Sequence, residues 1–394
     1  MNRKIIAITT LAAMISPAVF AESGNVSIYG KIDMSMDSIN NGNGTTTATQ
    51  GTRTTKVSSN ASRIGFKGAE DIGGGLSAVW QIEQTINIDD STTNASTFAT
   101  RNSYAGLKSD SIGTLLLGHY DTPYKISTRT LDVFGEVLAD NRTLMGGVAG
   151  KSSKLQFDGR QSNVIAYLSP EVGGFSAAAA YVAGAEAATS SSQTKGDAWS
   201  LAGMYKKDNL YGALGYETHK FGSAGTGTAA GGVAGAFAAA GSSESAWKLG
   251  LDYTLDALTL GFAYEKTRDN LGGAGAAAPV AACTTAGQNC YGHSAWYLAG
   301  KYSFGNDAVK LAYSKAGNLA GSGAGSDTSA NQLSFGYDHN LSKRTMLYAL
   351  YTRLNNGTGI NYALASTGVT TGTTAAAGNG AALSGMSFGI KHVF

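Results

Sequence analysis

Along residues 26–37 the chain alternates with a period of two. Val26, Ile28, Gly30, Ile32, Met34 and Met36 carry no charge, while the positions between them read Ser27, Tyr29, Lys31, Asp33, Ser35 and Asp37. This alternation predicts an extended strand with one apolar and one wet face. Twelve residues is long for a soluble strand and enough to cross a bilayer at a tilt. The pattern returns with Ile64 and Phe66 against Arg63 and Lys67, and with Leu76, Ala78, Trp80 and Ile82 against Ser77, Gln81 and Glu83. Residues 247–253, 258–264 and 296–304 repeat it. A charge facing lipid at mid-bilayer costs roughly 2–4 kcal/mol, so grouping the charges on one parity identifies the wet face.

The connections alternate in length. Short ones fall at 73–75, 110–113, 171–174, 207–209, 255–257, 305–307 and 340–344. Long ones, rich in Gly, Ser, Thr and Ala, fall at 39–61, 85–99, 121–159, 184–197, 221–245, 268–292, 316–330 and 355–382. Seven turns and eight loops separate sixteen strands. The expected fold is all-β, a transmembrane antiparallel β-barrel of 16 strands with short periplasmic turns and long extracellular loops. A soluble sandwich gives no reason for such an asymmetry. The last segment agrees: Met386, Phe388, Ile390, His392 and the terminal Phe394 share one parity, with His392 the departure from the apolar row.

Composition narrows the picture. Charged residues are 14% of the chain, and Gly is 54 of 394 without a collagen period. No apolar run beyond the N-terminal stretch is long enough for a transmembrane helix. Residues 1–21 read as a cleaved signal peptide, with Arg3 and Lys4 before an apolar core and Val19 and Ala21 at the cleavage site. Residues 22–394 are then one barrel domain. The formal charge of +2 belongs to the precursor; without Arg3 and Lys4, 27 bases face 27 acids, which gives no support to nucleic-acid binding.

Candidate chemistry is sparse. The five histidines (119, 219, 293, 339 and 392) are scattered, and no HExxH, GxSxG or P-loop pattern occurs. The Gly-rich segments 222–241 and 271–278 are not strand–loop–helix units of a nucleotide cradle. No enzyme, cofactor or metal site is therefore expected; an outer-membrane barrel hydrolase is the alternative class. Cys283 and Cys290, in an exported chain, read as a local disulfide or as two free thiols, the staple being favoured. The richest stretch is 100–142. Two short strands join at a tight turn and run into a region mixing Lys125 and Arg129 with Asp121, Asp132 and Glu136. That region is expected to fold into the tube and set what passes.

The motifs VSIYGKIDMSMD (26–37), SRIGFKGAEDIGGGLSAVWQIEQ (62–84), TRNSYAGLKSDSIGTLLLGHYDTP (100–123), RQSNVIAYLSPEVGGFSAAAAY (160–181) and the terminal GMSFGIKHVF resemble Gram-negative general porins, most of all those of beta-proteobacteria. The resemblance implies a homotrimer of barrels, each with its own water-filled pore, and a third long loop folded into the lumen. It implies that Arg63 and Arg101 are wall arginines of the constriction and that Lys31 faces the lumen. LDVFGEVL resembles the family's P-x-F-G segment without its proline, so Asp132 and Glu136 would face the basic wall. His119 stands where many members carry a wall arginine; Arg142 and Arg160 are further wall candidates.

The expected function is passive diffusion of ions and small hydrophilic solutes across the Gram-negative outer membrane. Charge selectivity should be weak, leaning to anions. The alternative is a substrate-preferring porin with a binding track. Expected partners are outer-membrane lipid and lipopolysaccharide, and the barrel-assembly machinery through Phe394.

Overall fold

The computed structural model describes residues 26–43, 51–89, 98–146, 157–183, 197–220, 243–272, 283–364 and 378–394. The expected signal peptide at 1–21, the Gly-rich stretch 222–241 and most of the loop at 184–197 lie outside these residues. Among the described residues, seventeen strand segments form one closed sheet. β1 (Ser27–Asn40) pairs with β17 (Ala382–Val393), and consecutive strands pair antiparallel around the ring. The backbone of Phe394 exchanges hydrogen bonds with Gly30, at 2.8 and 3.0 Å, to complete the seam.

β2 (Arg53–Ser59) and β3 (Arg63–Gly73) both pair with β1, at residues 34–40 and 27–31 respectively. They are two halves of one stave, broken at Ala61, whose φ is +53°. The barrel thus has sixteen staves. The expected loop at 39–61 needs correction, since β1 runs on through Ile39 and Asn40 and β2 takes seven more of its residues. Thr54, Lys56 and Ser58 alternate with Val57 there, a weak pattern that Gly and Thr on its N-terminal side conceal.

Strand parity matches burial. On β1, Met36 and Ile28 are exposed on the outer face while Lys31, Asp33, Ser35 and Asp37 are buried. The outer wall is a band of Leu, Ile, Phe, Tyr and Trp, including Leu249, Leu251 and Tyr253 on β11 (Ser243–Leu255). Short turns occupy one rim. β4 (Leu76–Thr85), β5 (Ser103–Ser109), β6 (Gly113–Asp121) and β7 (Arg160–Leu168) show the alternation of turn and loop, and it continues through the remaining strands. These are β8 (Phe175–Val182), β9 (Ala198–Lys207), β10 (Leu210–Lys220), β12 (Leu258–Asp269), β13 (Ser294–Phe304), β14 (Asp307–Ala316), β15 (Ala330–Asn340) and β16 (Thr345–Asn356).

The inner face from β9 to β15 is built largely of small residues: Ala198, Ala202, Ala213, Ala246, Ala263, Ala295, Ala299 and Ala312 are all buried. Something must lie on them. It is the segment after β6, which turns into the lumen as the short helix α1 (Pro123–Arg129). A Cβ on Gly250 would come within 2.6 Å of Leu131 Cδ1, and one on Gly336 within 2.6 Å of Phe134 Cε1. The missing side chains therefore let the loop seat against the wall.

Candidate pore constriction

The loop leaves the wall at Asp121 and is anchored step by step. Thr122 caps α1, its side chain accepting from Lys125 N, and Pro123 follows where no intrahelical N–H is needed. Tyr124 N donates to Ser200 Oγ on β9 at 2.9 Å, and its hydroxyl donates to Glu265 on β12 at 2.7 Å. Tyr211 on β10 donates to the Ser127 carbonyl at 2.7 Å. Farther on, Val133 N donates to the Tyr297 hydroxyl oxygen on β13. Phe134 lies under Lys310 of β14, 4.9 Å from Nζ to ring centre. The loop thus lies along one half of the inner wall, and the residues after Phe134 cross to the other half.

Glu136 makes that crossing. Its carboxylate lies 2.8 Å from Lys31 Nζ, 3.0 Å from Arg63 Nη1 and 3.5 Å from Arg101 Nη2. Burial alone would raise its pKa, but Lys31, Arg63 and Arg101 outweigh burial and hold the carboxyl well below the usual range. Behind this group Glu83 bridges the two arginines, 2.5 Å from Arg101 Nε and 4.0 Å from Arg63 Nε, and accepts from the Tyr29 hydroxyl at 3.0 Å. Strand parity already put Glu83 on the wet face; nothing in the sequence marked it as the link between Arg63 and Arg101.

Asp132 does not face Arg63 and Arg101. One oxygen accepts from Phe134 N at 2.9 Å and from Tyr297 OH at 3.0 Å; the other accepts from Asn141 N at 2.9 Å and lies 3.3 Å from Arg129. The carboxylate ties the backbone of its own loop, so it is used up there. Burial and the nearby Asp140 push its pKa up against the pull of Arg129. Asp140, unmarked in the sequence, takes Arg129 at 2.5 Å and Arg142 at 3.0 Å. Burial opposes its ionisation, and the two arginines override it.

The remaining candidates divide. Arg142 belongs to the loop, in the 3-10 turn Asn141–Thr143, and not to the wall. Arg160 opens β7 and lies 3.0 Å from Asp121, which also holds Lys125 at 2.7 Å. Burial lowers the Lys125 pKa to about 8, helped by Arg160 and Arg142 and resisted by Asp121. His119 points away from the pore. It shares a face with the exposed Leu115 and Leu117, and its Nδ1 is 3.1 Å from Ser162 Oγ on the outside of the wall. The reason is parity: two residues after Leu117 the strand has returned to the same face, beside a register shift against β7. The ion-paired groups around the loop tip hold seven cations (Lys31, Arg63, Arg101, Lys125, Arg129, Arg142 and Arg160) and six carboxylates (Asp33, Glu83, Asp121, Asp132, Glu136 and Asp140).

Cys283 and Cys290 are joined as a disulfide, Cα to Cα 5.8 Å. Asp269, at the end of β12, accepts from Cys290 N at 3.0 Å and Tyr291 N at 2.7 Å. The staple thus hangs from the barrel rim.

The Gram-negative porin family model matches residues 7–359. Outer membrane porin protein 32 of Delftia acidovorans is 28% identical over a 414-residue alignment that covers 100% of both chains. An outer membrane porin protein of Bordetella pertussis is 28% identical over 315 residues, covering 74% of this chain and 76% of its own. Among solved structures, an anion-selective porin from Comamonas acidovorans superposes with a TM-score of 0.71 at 25% identity, covering 94% of this chain and 100% of its own. The sixteen-stave barrel, the inward loop and these likenesses agree: the chain belongs to the Gram-negative porins, channel-forming β-barrels of the outer membrane.

Proposed function

We propose that the chain is a weakly anion-preferring diffusion pore whose narrowest part is bordered by Lys31, Arg63, Arg101, Arg160 and the loop around Glu136. One observation carries this reading: the inward loop reaches Lys31, Arg63 and Arg101 through the single carboxylate Glu136, while its Asp132 and Asp140 are spent on its own Arg129 and Arg142. Seven cations against six carboxylates leave the groups bordering the passage a small positive surplus. The likeness to a porin described as anion-selective supports the same sign. One unit charge about 8 Å away through water contributes roughly 0.5 kcal/mol, so a few such charges favour anions several-fold without binding them tightly.

The working form is a homotrimer in outer-membrane lipid and lipopolysaccharide, made by removal of residues 1–21 and assembly of residues 22–394 through the Phe394 end. Small hydrophilic solutes and ions cross it passively. Planar-bilayer recording tests the reading: purified protein should give large ohmic steps, and a KCl gradient should give a zero-current potential of the anion-selective sign. A cation-selective potential would overturn it.

A further inference from the structure

One sector of the inner wall beside the constriction is aromatic. Tyr29 lies on the turn side of Lys31 along β1, with the same inward parity. Its ring covers Gly65 on β3, where an added Cβ would come within 2.2 Å of Cζ, and Lys67 Nζ stands 5.3 Å from the ring centre. Tyr104 lies on the turn side of Arg101, in β5, opposite Gln81 of β4 and Gly118 of β6. Tyr120, near the end of β6, meets it edge to face, 5.4 Å between ring centres at 87°. Behind these two rings Leu116, Val164, Ala166, Ala180 and Val182 form a buried apolar cluster on the inward faces of β6 to β8. The rings pack over it and stay partly exposed. On the opposite side of the barrel the inward positions toward the turns are Lys301, Lys310, Asp338 and Lys391. The two sides of the passage are thus chemically different.

Polar groups around this strip are uncommitted. The Tyr104 and Tyr120 hydroxyls make no hydrogen bond among the described residues, and Lys67 has no acid partner there. Arg63 donates through Nη1, and Arg101 through Nε and Nη2. Each guanidinium has five N–H donors, so Glu83 and Glu136 hold the two arginines without exhausting them. Aromatic surface turned to water marks a contact surface. Tyrosine suits such a surface, since it offers a ring for stacking and a hydroxyl for hydrogen bonding with few torsions to freeze. Two rings set edge to face leave one face open, and a third ring fits against it in the same geometry. Cations beside the rings attract both an aromatic face and an anionic group. The strip and its cations therefore match a molecule with a flat aromatic body and a carboxylate at one end. An aliphatic anion engages only the cations, and a neutral aromatic engages chiefly the rings.

We propose that this sector is a binding site for aromatic carboxylates in transit, the carboxylate meeting Arg63, Arg101 and Lys67 and the ring lying on Tyr104 and Tyr120. The site rests on the diffusion-pore reading and names a solute class that the pore favours. Planar-bilayer recording of the purified full-length protein in KCl at neutral pH tests it, with benzoate, cyclohexanecarboxylate, acetate and benzamide as probes. Benzoate should half-block the KCl current at a concentration about tenfold below acetate or benzamide, and about threefold below cyclohexanecarboxylate. Tyr104→Leu/Tyr120→Leu keeps apolar bulk over the buried cluster and removes the rings, so its half-block by benzoate should rise to that of cyclohexanecarboxylate. Tyr253→Leu, on the lipid face, should be blocked as the wild type is. Ohmic steps in plain KCl establish the pore before any probe is added, so failure of the pore reading shows separately. Wild-type block by benzoate no stronger than by acetate or by cyclohexanecarboxylate, a comparison that needs no variant, would overturn the proposal. Unchanged block of the double leucine variant would overturn it too.

Discussion

Arg63 Nη1 stands 3.0 Å from the Glu136 carboxylate, joining β3 to a loop that leaves the wall at the end of β6 and lies along β9 to β14 before reaching back. The sequence separation is 73 residues, and the contact exists only because the loop lies flat on a wall of alanine and glycine. This one pair fixes how far the loop reaches. Its strength comes from company, since Lys31 and Arg101 share the same acceptor.

Glu136→Gln removes the acid that three cations share. Zero-current potentials in a KCl gradient should move further toward anions. Loss of the shared acceptor should also cost about 2 kcal/mol of loop stability, read as faster exchange of backbone amides at 132–140, because uncompensated cations remain partly buried. An unchanged potential would remove Glu136 from the ion path.

Arg63→Gln with Arg101→Gln acts in the opposite direction. Each lost charge removes roughly 0.5 kcal/mol of anion stabilisation at about 8 Å, so anion permeability should fall about fivefold for the pair and the anion-over-cation ratio by more. High salt should shrink the difference, with screening over about 8 Å at physiological ionic strength.

The Lys125 pKa near 8 makes selectivity pH-dependent. Lys125 is charged at pH 7 and largely neutral at pH 9, so rising pH subtracts a lumen cation and moves the zero-current potential toward cations. Lys125→Arg should abolish the drift. Linkage has its own sign: the folded state gives up this proton at lower pH than the unfolded chain. Stability contributed by this group therefore rises between about pH 8 and 10.5.

His119→Gln should leave ion preference unchanged between pH 5 and 8, since the ring lies on the outer face. A selectivity change would mean that the strand presents it inward.

Cys283→Ser/Cys290→Ser opens a short loop at the rim. The loop-entropy argument gives about 2–3 kcal/mol for a closure of this size. Proteolysis should then nick the 283–292 segment first, with channel conductance intact. Collapse of the barrel itself would contradict a local role.

Alternation, turn spacing and the apolar closing strand are periodic properties of the chain. A bilayer enforces them at every strand, because each outward charge is costly and each backbone group needs a neighbour. That is why the sixteen staves, the placement of the short turns and the inward sides of Lys31, Arg63 and Glu83 can be read residue by residue. The seven-residue β2 escaped, being short and polar on both faces. The expectations for Asp132 and His119 rest on motif position, which carries no direction, and that for Arg142 on a stretch beside the loop where strand phase cannot be read. Asp132 is consumed by backbone amides of its own turn, Arg142 by Asp140, and His119 by the parity of a strand beside a bulge.

Sequence by itself therefore determined the tube, its rims and the wet face of each regular strand, since these follow from a two-residue repeat against lipid. Only the tertiary structure decided that Glu136, and not Asp132, meets the basic wall. The aim of a loop carboxylate depends on which amides and cations reach it first, and those come from strands far apart in the chain.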